Sequence, residues 1–192
     1  MNVEDIPKAV ITDLDGTLTD EHRRLNTRAV DYLRRLVDSG VPVVLASGNT
    51  LCSLTILCKM IGTDGTVVCE NGGLYRIGFK GEPRILGDIA LCRSAFRHLE
   101  NYFGGQGIDL ELYSPEYRFA DVAFARTVDP EEVRTALAGF DVRVLDTGFA
   151  IHLQSHDISK GTAFRRVAED LGIGVSDFLA VGDSHNDREM IR

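Results

Sequence analysis

The sequence predicts an α/β protein, a doubly wound parallel sheet that is interrupted by a smaller α+β insertion. In the first third of the chain, short strands that are apolar throughout alternate with amphipathic helices. This alternation resumes near the end of the chain, whereas the region between follows a different order of elements. The length, 192 residues, suits one domain that carries a smaller inserted one.

Each element of the core is predicted from its apolar pattern and from its end signals. Asn26 or Thr27 caps the first helix, and Gly40 and Gly62 end the first two helices. Strands that are apolar throughout suit a parallel sheet covered on both faces. The predicted strands are residues 8–13, 41–46, 66–69 and 178–181, the predicted helices are residues 27–39, 50–61 and 160–171, and residues 74–77 and 84–86 form a predicted hairpin.

The middle of the chain is predicted to be a separate unit. From Asp88 to Gln154 the order is helix, strand, helix, strand, strand, which is typical of an independent α+β unit. We therefore assign residues 83–156 to an insertion, called the inserted segment below. Residues 1–82 and 157–192 form the predicted discontinuous core.

Composition and charge exclude several classes of protein. The formal net charge is −8, whereas nucleic-acid binders normally carry a basic face, so we expect no nucleic-acid partner. No apolar stretch approaches the roughly 20 residues of a membrane span, so we expect no membrane partner. The acidic run at residues 1–5 lacks the pattern of a signal peptide, which predicts a cytoplasmic protein. The sequence leaves open whether the protein is a monomer or a homodimer.

Polar side chains follow four of the predicted strands at the points where those strands end. In an open α/β sheet, ligands bind beyond the carboxyl ends of the strands, so we expect these side chains to surround one site. Lys160 begins a helix, where backbone N–H groups already favour an anion. The polar runs are Asp13 and Asp15, then Ser47-Gly48-Asn49, then Glu70-Asn71-Gly72-Gly73, and finally Asp183-Ser184-His185-Asn186-Asp187.

This set of groups suits the hydrolysis of a phosphate ester. A carboxylate can attack phosphorus and form an aspartyl-phosphate, while a second acid protonates the leaving alcohol and then deprotonates water. Because carboxylate and phosphate repel each other, a divalent cation must bridge them, and oxygen ligands suit Mg²⁺. Lys160, Ser47 and the Gly48 amide are expected to hold the phosphoryl oxygens.

Four short motifs, in this order along the chain, resemble those of the haloacid dehalogenase superfamily. The run from Asp13 to Leu18 matches its first motif, D-x-D-G-T-[LV], and Ser47 matches its second. Lys160-Gly161 matches the third motif, and the run from Gly182 to Asp187 matches the fourth, G-D-x-x-N-D. The resemblance implies a Rossmann-like core in which the inserted segment is a C2-type cap domain.

The resemblance also implies a role for each motif residue. Asp13 is expected to be the nucleophile, and Asp15 the general acid and base. Ser47 and Lys160 are expected to hold phosphate, and Asn186 to support the phosphate or the lysine. The implied ligands of Mg²⁺ are Asp13, the backbone carbonyl of Asp15, Asp183 and Asp187, the last directly or through water.

The expected substrate is a small phosphorylated metabolite. The runs at residues 46–49 and 70–73 resemble those of archaeal phosphoglycolate phosphatases and their sucrose-phosphatase-like relatives. This implies 2-phosphoglycolate first and sugar phosphates next, with a phosphomutase as the alternative. A receiver-like module that stores phosphate on an aspartate is a third hypothesis, but such modules lack the D-x-D-G-T spacing and a large insertion. Members of the superfamily continue beyond the fourth motif, so the resemblance also implies either a truncated C-terminal part or an unusual member.

Several other polar residues have ordinary explanations. Turn formation explains Asn49 and Asn71 about as well as contact with a ligand does. An arginine suits an acidic substrate, but a surface position is the more common explanation for Arg118. His152 is predicted to pack or to face water.

Overall fold

The computed structural model describes residues 7–192, so the acidic run at residues 1–5 lies outside the described residues. Within this range the structure contains a six-stranded sheet and a three-stranded sheet. The strands are β1 (Ala9–Asp13), β2 (Val43–Ala46), β3 (Val67–Cys69), β4 (Leu74–Arg76), β5 (Arg84–Ile85), β6 (Asp121–Ala125), β7 (Val142–Asp146), β8 (Ala150–Ser155) and β9 (Phe178–Val181). The helices are α1 (Thr27–Asp38), α2 (Leu51–Ile61), α3 (Ile89–Gly104), α4 (Pro130–Ala136), α5 (Lys160–Leu171) and α6 (Arg188–Ile191).

The larger sheet has the strand order β5-β4-β3-β2-β1-β9. Strands β3, β2, β1 and β9 are parallel, and β4 and β5 add two antiparallel strands at one edge. Asp13 pairs in register with Ala46. The chain that leaves β1 therefore lies beside the chain that leaves β2, and the two polar runs meet at one edge of the sheet.

Alternate residues of the parallel strands face two different apolar clusters. Val10 and Val43 pack on the side of α1 and α2, whereas Ile11 and Val44 pack on the side of α5. Burying an apolar side chain of this size contributes about 1.5–3 kcal/mol, which is why strands that are apolar throughout occupy the middle of the sheet. These two packed faces confirm the predicted doubly wound α/β fold.

Local signals begin and end the helices as expected. The Asn26 side chain accepts hydrogen bonds from the amides of Arg28 and Ala29 at the start of α1. Gly62 ends α2 with a φ of 105°, a backbone conformation that glycine adopts without steric cost. No helix in the described range has both the length and the apolar composition of a membrane span.

The smaller sheet belongs to the inserted segment. It is antiparallel with the order β6-β8-β7, and α3 and α4 pack against it. Phe103, Phe124 and Ile151 are fully buried in the apolar cluster of this segment. A separate cluster of this kind is consistent with an independent α+β unit, although the division into two domains stays a prediction.

One boundary of the inserted segment differs from the prediction. The prediction began the segment at Pro83, but Arg84 and Ile85 pair with β4 in the larger sheet. The reason is the hairpin, because β5 satisfies backbone groups of β4 that would otherwise lie unpaired at the sheet edge. The first residues of the predicted insertion therefore belong to the larger sheet.

Candidate active site

Asp13 is the last residue of β1 and lies at the bottom of a cavity of about 410 Å³ between the core and the inserted segment. The residue is only 4% exposed, and its carboxylate accepts a hydrogen bond from Lys160 Nζ. Burial raises the pKa of Asp13 to about 6, although the positive charge of Lys160 opposes this effect. The structure therefore places the predicted nucleophile beside a fixed cation.

Lys160 is the first residue of α5, and it is buried for a reason that the sequence encodes. Ser159 caps this helix in a reciprocal arrangement with Thr162. The cap fixes where the helix begins, so the Lys160 side chain, which is 1% exposed, enters the cavity floor. Its Nζ donates to Asp13 and, at 2.8 Å, to Oδ1 of Asp187. A buried lysine needs such partners, because an unpaired buried charge is strongly destabilising.

Three carboxylates form an acidic cluster at this point. Oxygen atoms of Asp13, Asp183 and Asp187 all lie within 4.8 Å of one another. Asp183 is exposed towards solvent and accepts a hydrogen bond from Thr17 Oγ1 at 3.0 Å. Carboxylate oxygens are the ligands that a hard divalent cation prefers, so the cluster fits such a metal.

Within this cluster Asp187 differs from the other two acids. Its Oδ1 accepts from Lys160, and its Oδ2 accepts from the amides of Asp183 at 3.2 Å and Ser184 at 3.0 Å. Both oxygens are therefore engaged, and the side chain is fully buried. Asp187 is better suited to orienting Lys160 and the chain at Asp183 than to direct metal contact.

Gly16 permits the close approach of the first and fourth motifs. Its φ is 92°, and a Cβ at this position would lie 2.4 Å from Oδ2 of Asp183. Real Cβ atoms essentially never come so close to another heavy atom, so a larger residue would displace Asp183 or the turn. The glycine of the first motif is thus required by the position of an acid that lies far away in the sequence.

Asp15 lines the same cavity as Asp13 and is held by two side chains. Asn49 Nδ2 donates to Oδ2 of Asp15 at 2.8 Å, and an Arg23 nitrogen lies 3.6 Å from Oδ1. The Asp15 side chain is not part of the acidic cluster of the described residues. The metal contact implied for its backbone carbonyl stays a prediction.

The second motif is built by the loop after β2. Ser47 is buried, and its Oγ accepts hydrogen bonds from the amide and the side chain of Asn49 at 3.1 and 2.9 Å. The carbonyl of Gly48 accepts from Arg118 at 3.3 Å. Ser47, Gly48 and Lys160 all line the cavity. The structure thus brings the predicted phosphate-binding residues together.

Asn186 also lines the cavity, and its predicted role in holding the phosphate or the lysine stays a prediction. Its Nδ2 donates to Oδ1 of Asn71 at 3.1 Å. The Asn71 side chain in turn lies 3.2 Å from Nδ1 of His152, which belongs to the inserted segment. Asn186 and Asn71 therefore connect the fourth motif to the opposite wall of the cavity.

Residues of the inserted segment that the sequence explained as ordinary prove to form this wall. Arg118 Nη1 donates to Oδ1 of Asp121 at 2.6 Å, and His152 Nδ1 lies 2.8 Å from Oδ2 of the same residue. Burial raises the pKa of Asp121, but the hydrogen bond and charge of His152, together with Arg118, hold the pKa below its usual range. Arg118 and His152 both line the cavity.

Glu70 connects the core to the inserted segment through hydrogen bonds. It is fully buried, and its carboxylate accepts hydrogen bonds from the amides of Phe119, Ala120 and Asp121. Burial raises the pKa of Glu70 to about 7, and the charge of Asp121 adds to this effect, while the amide donors oppose it. Glu70 and Asn71 both have positive φ, 51° and 54°, a costly conformation for residues other than glycine. The only sequence signal for this role was the polar run before Gly72-Gly73.

Comparison with known proteins agrees with this geometry. The sequence profile of the haloacid dehalogenase-like hydrolases matches residues 10–136 and 125–192. A phosphoglycolate phosphatase of Methanoculleus marisnigri is 59% identical over 186 residues, which cover 96% of this chain and 80% of that protein. A phosphoglycolate phosphatase of Archaeoglobus fulgidus is 44% identical over 186 residues, with 97% and 80% covered.

Solved structures have the same fold. A Thermoplasma acidophilum protein superposes with a TM-score of 0.82 at 25% identity, covering 96% of this chain and 80% of that chain. A phosphatase of the haloalkanoate superfamily from Bacteroides thetaiotaomicron superposes with a TM-score of 0.77 at 18% identity, covering 99% and 82%. The matching profile spans almost the whole chain, the relatives are similar along nearly all of it, and the motif residues meet in one cavity. The chain belongs to the haloacid dehalogenase-like hydrolase family.

Proposed function

We propose that this protein is a Mg²⁺-dependent phosphatase that hydrolyses 2-phosphoglycolate to glycolate and phosphate. The observation that carries the proposal is the buried Asp13 carboxylate, which lies between Lys160 and the exposed acid Asp183 in one cavity. The relatives named phosphoglycolate phosphatases, similar over nearly the whole chain, support the choice of ester.

The first step transfers the phosphoryl group to Asp13. A carboxylate oxygen of Asp13 forms a bond to phosphorus as the bond between phosphorus and the ester oxygen breaks. Asp15 gives a proton to that oxygen, which leaves as the alcohol of glycolate. Asn49 and Arg23 hold the Asp15 side chain beside the cavity, so they orient its proton.

The second step returns Asp13 to its starting state. Asp15, now ionised, takes a proton from water, and the water oxygen attacks phosphorus as the bond to Asp13 breaks. The products are inorganic phosphate, a free Asp13 carboxylate and a protonated Asp15. Lys160, Ser47 and the Gly48 amide hold the phosphoryl oxygens and offset the charge that spreads over them.

Residues of the acidic cluster are suited to hold the metal. Asp13 and Asp183, with the Asp15 carbonyl, would hold Mg²⁺, while Asp187 orients Lys160. When bound, Mg²⁺ supplies the positive charge that lets a carboxylate and a phosphate approach each other.

Phosphate release from a series of esters tests the proposed function. The purified protein is expected to hydrolyse 2-phosphoglycolate with Mg²⁺ and to lose this activity in excess EDTA. Asp13→Asn should lower kcat by about 10⁴-fold or more, because it removes the nucleophile. The matched control is Asp31→Asn, an exposed aspartate on α1, which should leave turnover unchanged.

Three outcomes would contradict the proposal. Turnover retained by Asp13→Asn would show that another group attacks phosphorus. Conversion of a hexose 1-phosphate to an isomeric ester without free phosphate would instead identify a phosphomutase, and release from sugar phosphates alone would identify a sugar-phosphate phosphatase.

A further inference from the structure

His152 stands on the wall of the cavity that the inserted segment forms. It lies on β8, and its Nδ1 is 2.8 Å from Oδ2 of Asp121 on the neighbouring strand β6. The residue is 5% exposed and lines the same cavity as Asp13 and Lys160. Among the described residues no hydrogen bond reaches Nε2, and this atom is not sealed inside the protein. Asp121 engages Nδ1 of the ring, whereas Nε2 is available to a ligand in the cavity.

Asp121 determines which nitrogen of the His152 ring is protonated. An ionised carboxylate only accepts hydrogen bonds, so Nδ1 of His152 is protonated and donates to it. Arg118 donates to the other oxygen of Asp121 at 2.6 Å, which favours the ionised form. When Nε2 is also protonated, His152 is a cation that offers one N–H to a ligand in the cavity. Negative charge is what such a group binds best.

The other cations of the cavity wall are less available. Lys160 is held between two buried carboxylates. Three acceptors engage the guanidinium of Arg118. Arg23 has a long ion pair with Asp15 and lies over the Phe149 ring, 4.4 Å from its centroid, but its side chain is 55% exposed, where water screens its charge. His152 combines an open donor with shielding from water.

We propose that His152 is a specificity-determining residue, whose Nε2–H binds the carboxylate of the substrate while Asp13 meets the phosphoryl group. This inference rests on the proposed function and names the side chain that recognises the glycolate part of the ester. Asp121 is its positioning residue, because it fixes the ring and its proton. A charge-assisted hydrogen bond in a shielded site provides the selectivity, since an ester without a carboxylate forms no such bond.

A pair of closely matched substrates tests the role of His152. Ethyl phosphate has the same phosphate and nearly the same carbon skeleton as 2-phosphoglycolate but lacks the carboxylate. His152→Gln should raise KM for 2-phosphoglycolate on the order of 10- to 100-fold, with kcat little changed, because it removes a charged hydrogen bond made in the ground state. For ethyl phosphate, KM and kcat should each change less than about threefold, because this ester has no carboxylate for His152 to bind. His156→Gln, at an exposed histidine four positions along, is the matched control.

Each kinetic result decides between alternatives. Equal loss for the two esters would overturn the role of His152 in specificity and leave the phosphatase proposal intact. If Arg23→Gln, and not His152→Gln, lowers the preference for 2-phosphoglycolate, Arg23 recognises the carboxylate and the inference is wrong. A wild-type protein that hydrolyses both esters equally well would also overturn it. If the wild type hydrolyses neither ester, it is the proposed function that fails.

A binding measurement covers the case in which His152→Gln does not fold or no ester is hydrolysed. In EDTA, where turnover is not expected, 2-phosphoglycolate should shift the Nε2 signal of His152 in the ¹⁵N spectrum of the wild-type protein. Ethyl phosphate at the same concentration should not. An unchanged Nε2 signal with saturating 2-phosphoglycolate would overturn the inference without reference to any variant.

Discussion

Lys160→Met tests whether the buried lysine holds the candidate site together. Methionine keeps much of the length and apolar character of the lysine side chain but removes the ammonium group. In the structure that group is 1% exposed and lies between Asp13 and Asp187. Its loss leaves two buried carboxylates next to each other without a cation.

The size of the effect follows from these contacts. Removing one partner of a buried ion pair costs about 3–5 kcal/mol of unfolding free energy. Asp187 retains two backbone amide donors, so Asp13 is the carboxylate left less well compensated. The loss of Lys160 should also lower the rate of phosphate release on the order of 10²–10³-fold, as removal of a group that stabilises transition-state charge does.

The destabilisation should depend on pH in a defined direction. The folded pKa of Asp13, about 6, is already above its ordinary value of 3.8, and Lys160 is the group that opposes this shift. Without Lys160 the folded pKa rises further, so the folded variant binds a proton more readily than the folded wild type. Acidification therefore stabilises the variant more than the wild type. The difference is about 1.4 kcal/mol for each unit by which the substitution raises the folded pKa of Asp13.

Urea unfolding followed by circular dichroism, in EDTA at pH 8 and at pH 5, measures both effects. The stability gap between wild type and Lys160→Met should be large at pH 8 and smaller at pH 5. Lys80→Met, at an exposed lysine, is the control and should stay within about 0.5 kcal/mol of wild type. A variant as stable as wild type at pH 8, or a gap that widens on acidification, would refute this reasoning.

Two further predictions concern the glycine of the first motif and the buried Glu70. Gly16→Ala should cost about 1–3 kcal/mol and raise the Mg²⁺ concentration needed for half-maximal activity, because its Cβ collides with Asp183. Gly40→Ala, with a φ of 81° but nothing within 4 Å, is the control for backbone strain alone, and an equal metal requirement in both variants would count against the collision. The pKa of Glu70 is about 7 in the folded state and 4.5 ordinarily. Between these two pH values the folded state holds a proton on Glu70 that the unfolded state has lost. The contribution of Glu70 to stability therefore falls as the pH rises from 4.5 to 7. Glu70→Gln should therefore gain up to about 3 kcal/mol relative to wild type between pH 4.5 and pH 8, measured by urea unfolding, and a gap that does not change with pH would contradict the assignment.

Much of the candidate site was predictable because its residues carry local signals. A strand that ends in Asp13, a turn that needs Gly16 and a helix that starts after Ser159 are each encoded within a few residues. The carboxyl ends of parallel strands meet at one edge of a sheet, so these signals also predicted that the polar runs converge. The fold class follows from the same alternation of strands and helices.

Other features depend on contacts between residues that are distant in the sequence. Nothing near His152 distinguishes it from a packed histidine until β6 and β8 pair and place Asp121 beside it. The hydrogen bond from Asn186 to Asn71 joins residues that lie 115 positions apart, and no local pattern predicts it. Such pairings depend on strand register and on how the inserted segment sits on the core.

The sequence by itself predicted the α/β fold class, the carboxylates after the first strand and the lysine at the start of a later helix, because propensity, capping and turn geometry act over short stretches of chain. Only the tertiary structure decided that His152 and Arg118 face the cavity and that the buried Asp121 contacts both of them. The physical reason is that burial and hydrogen bonding across the fold create these groupings. A histidine or arginine acquires its environment only when distant strands and loops close around it.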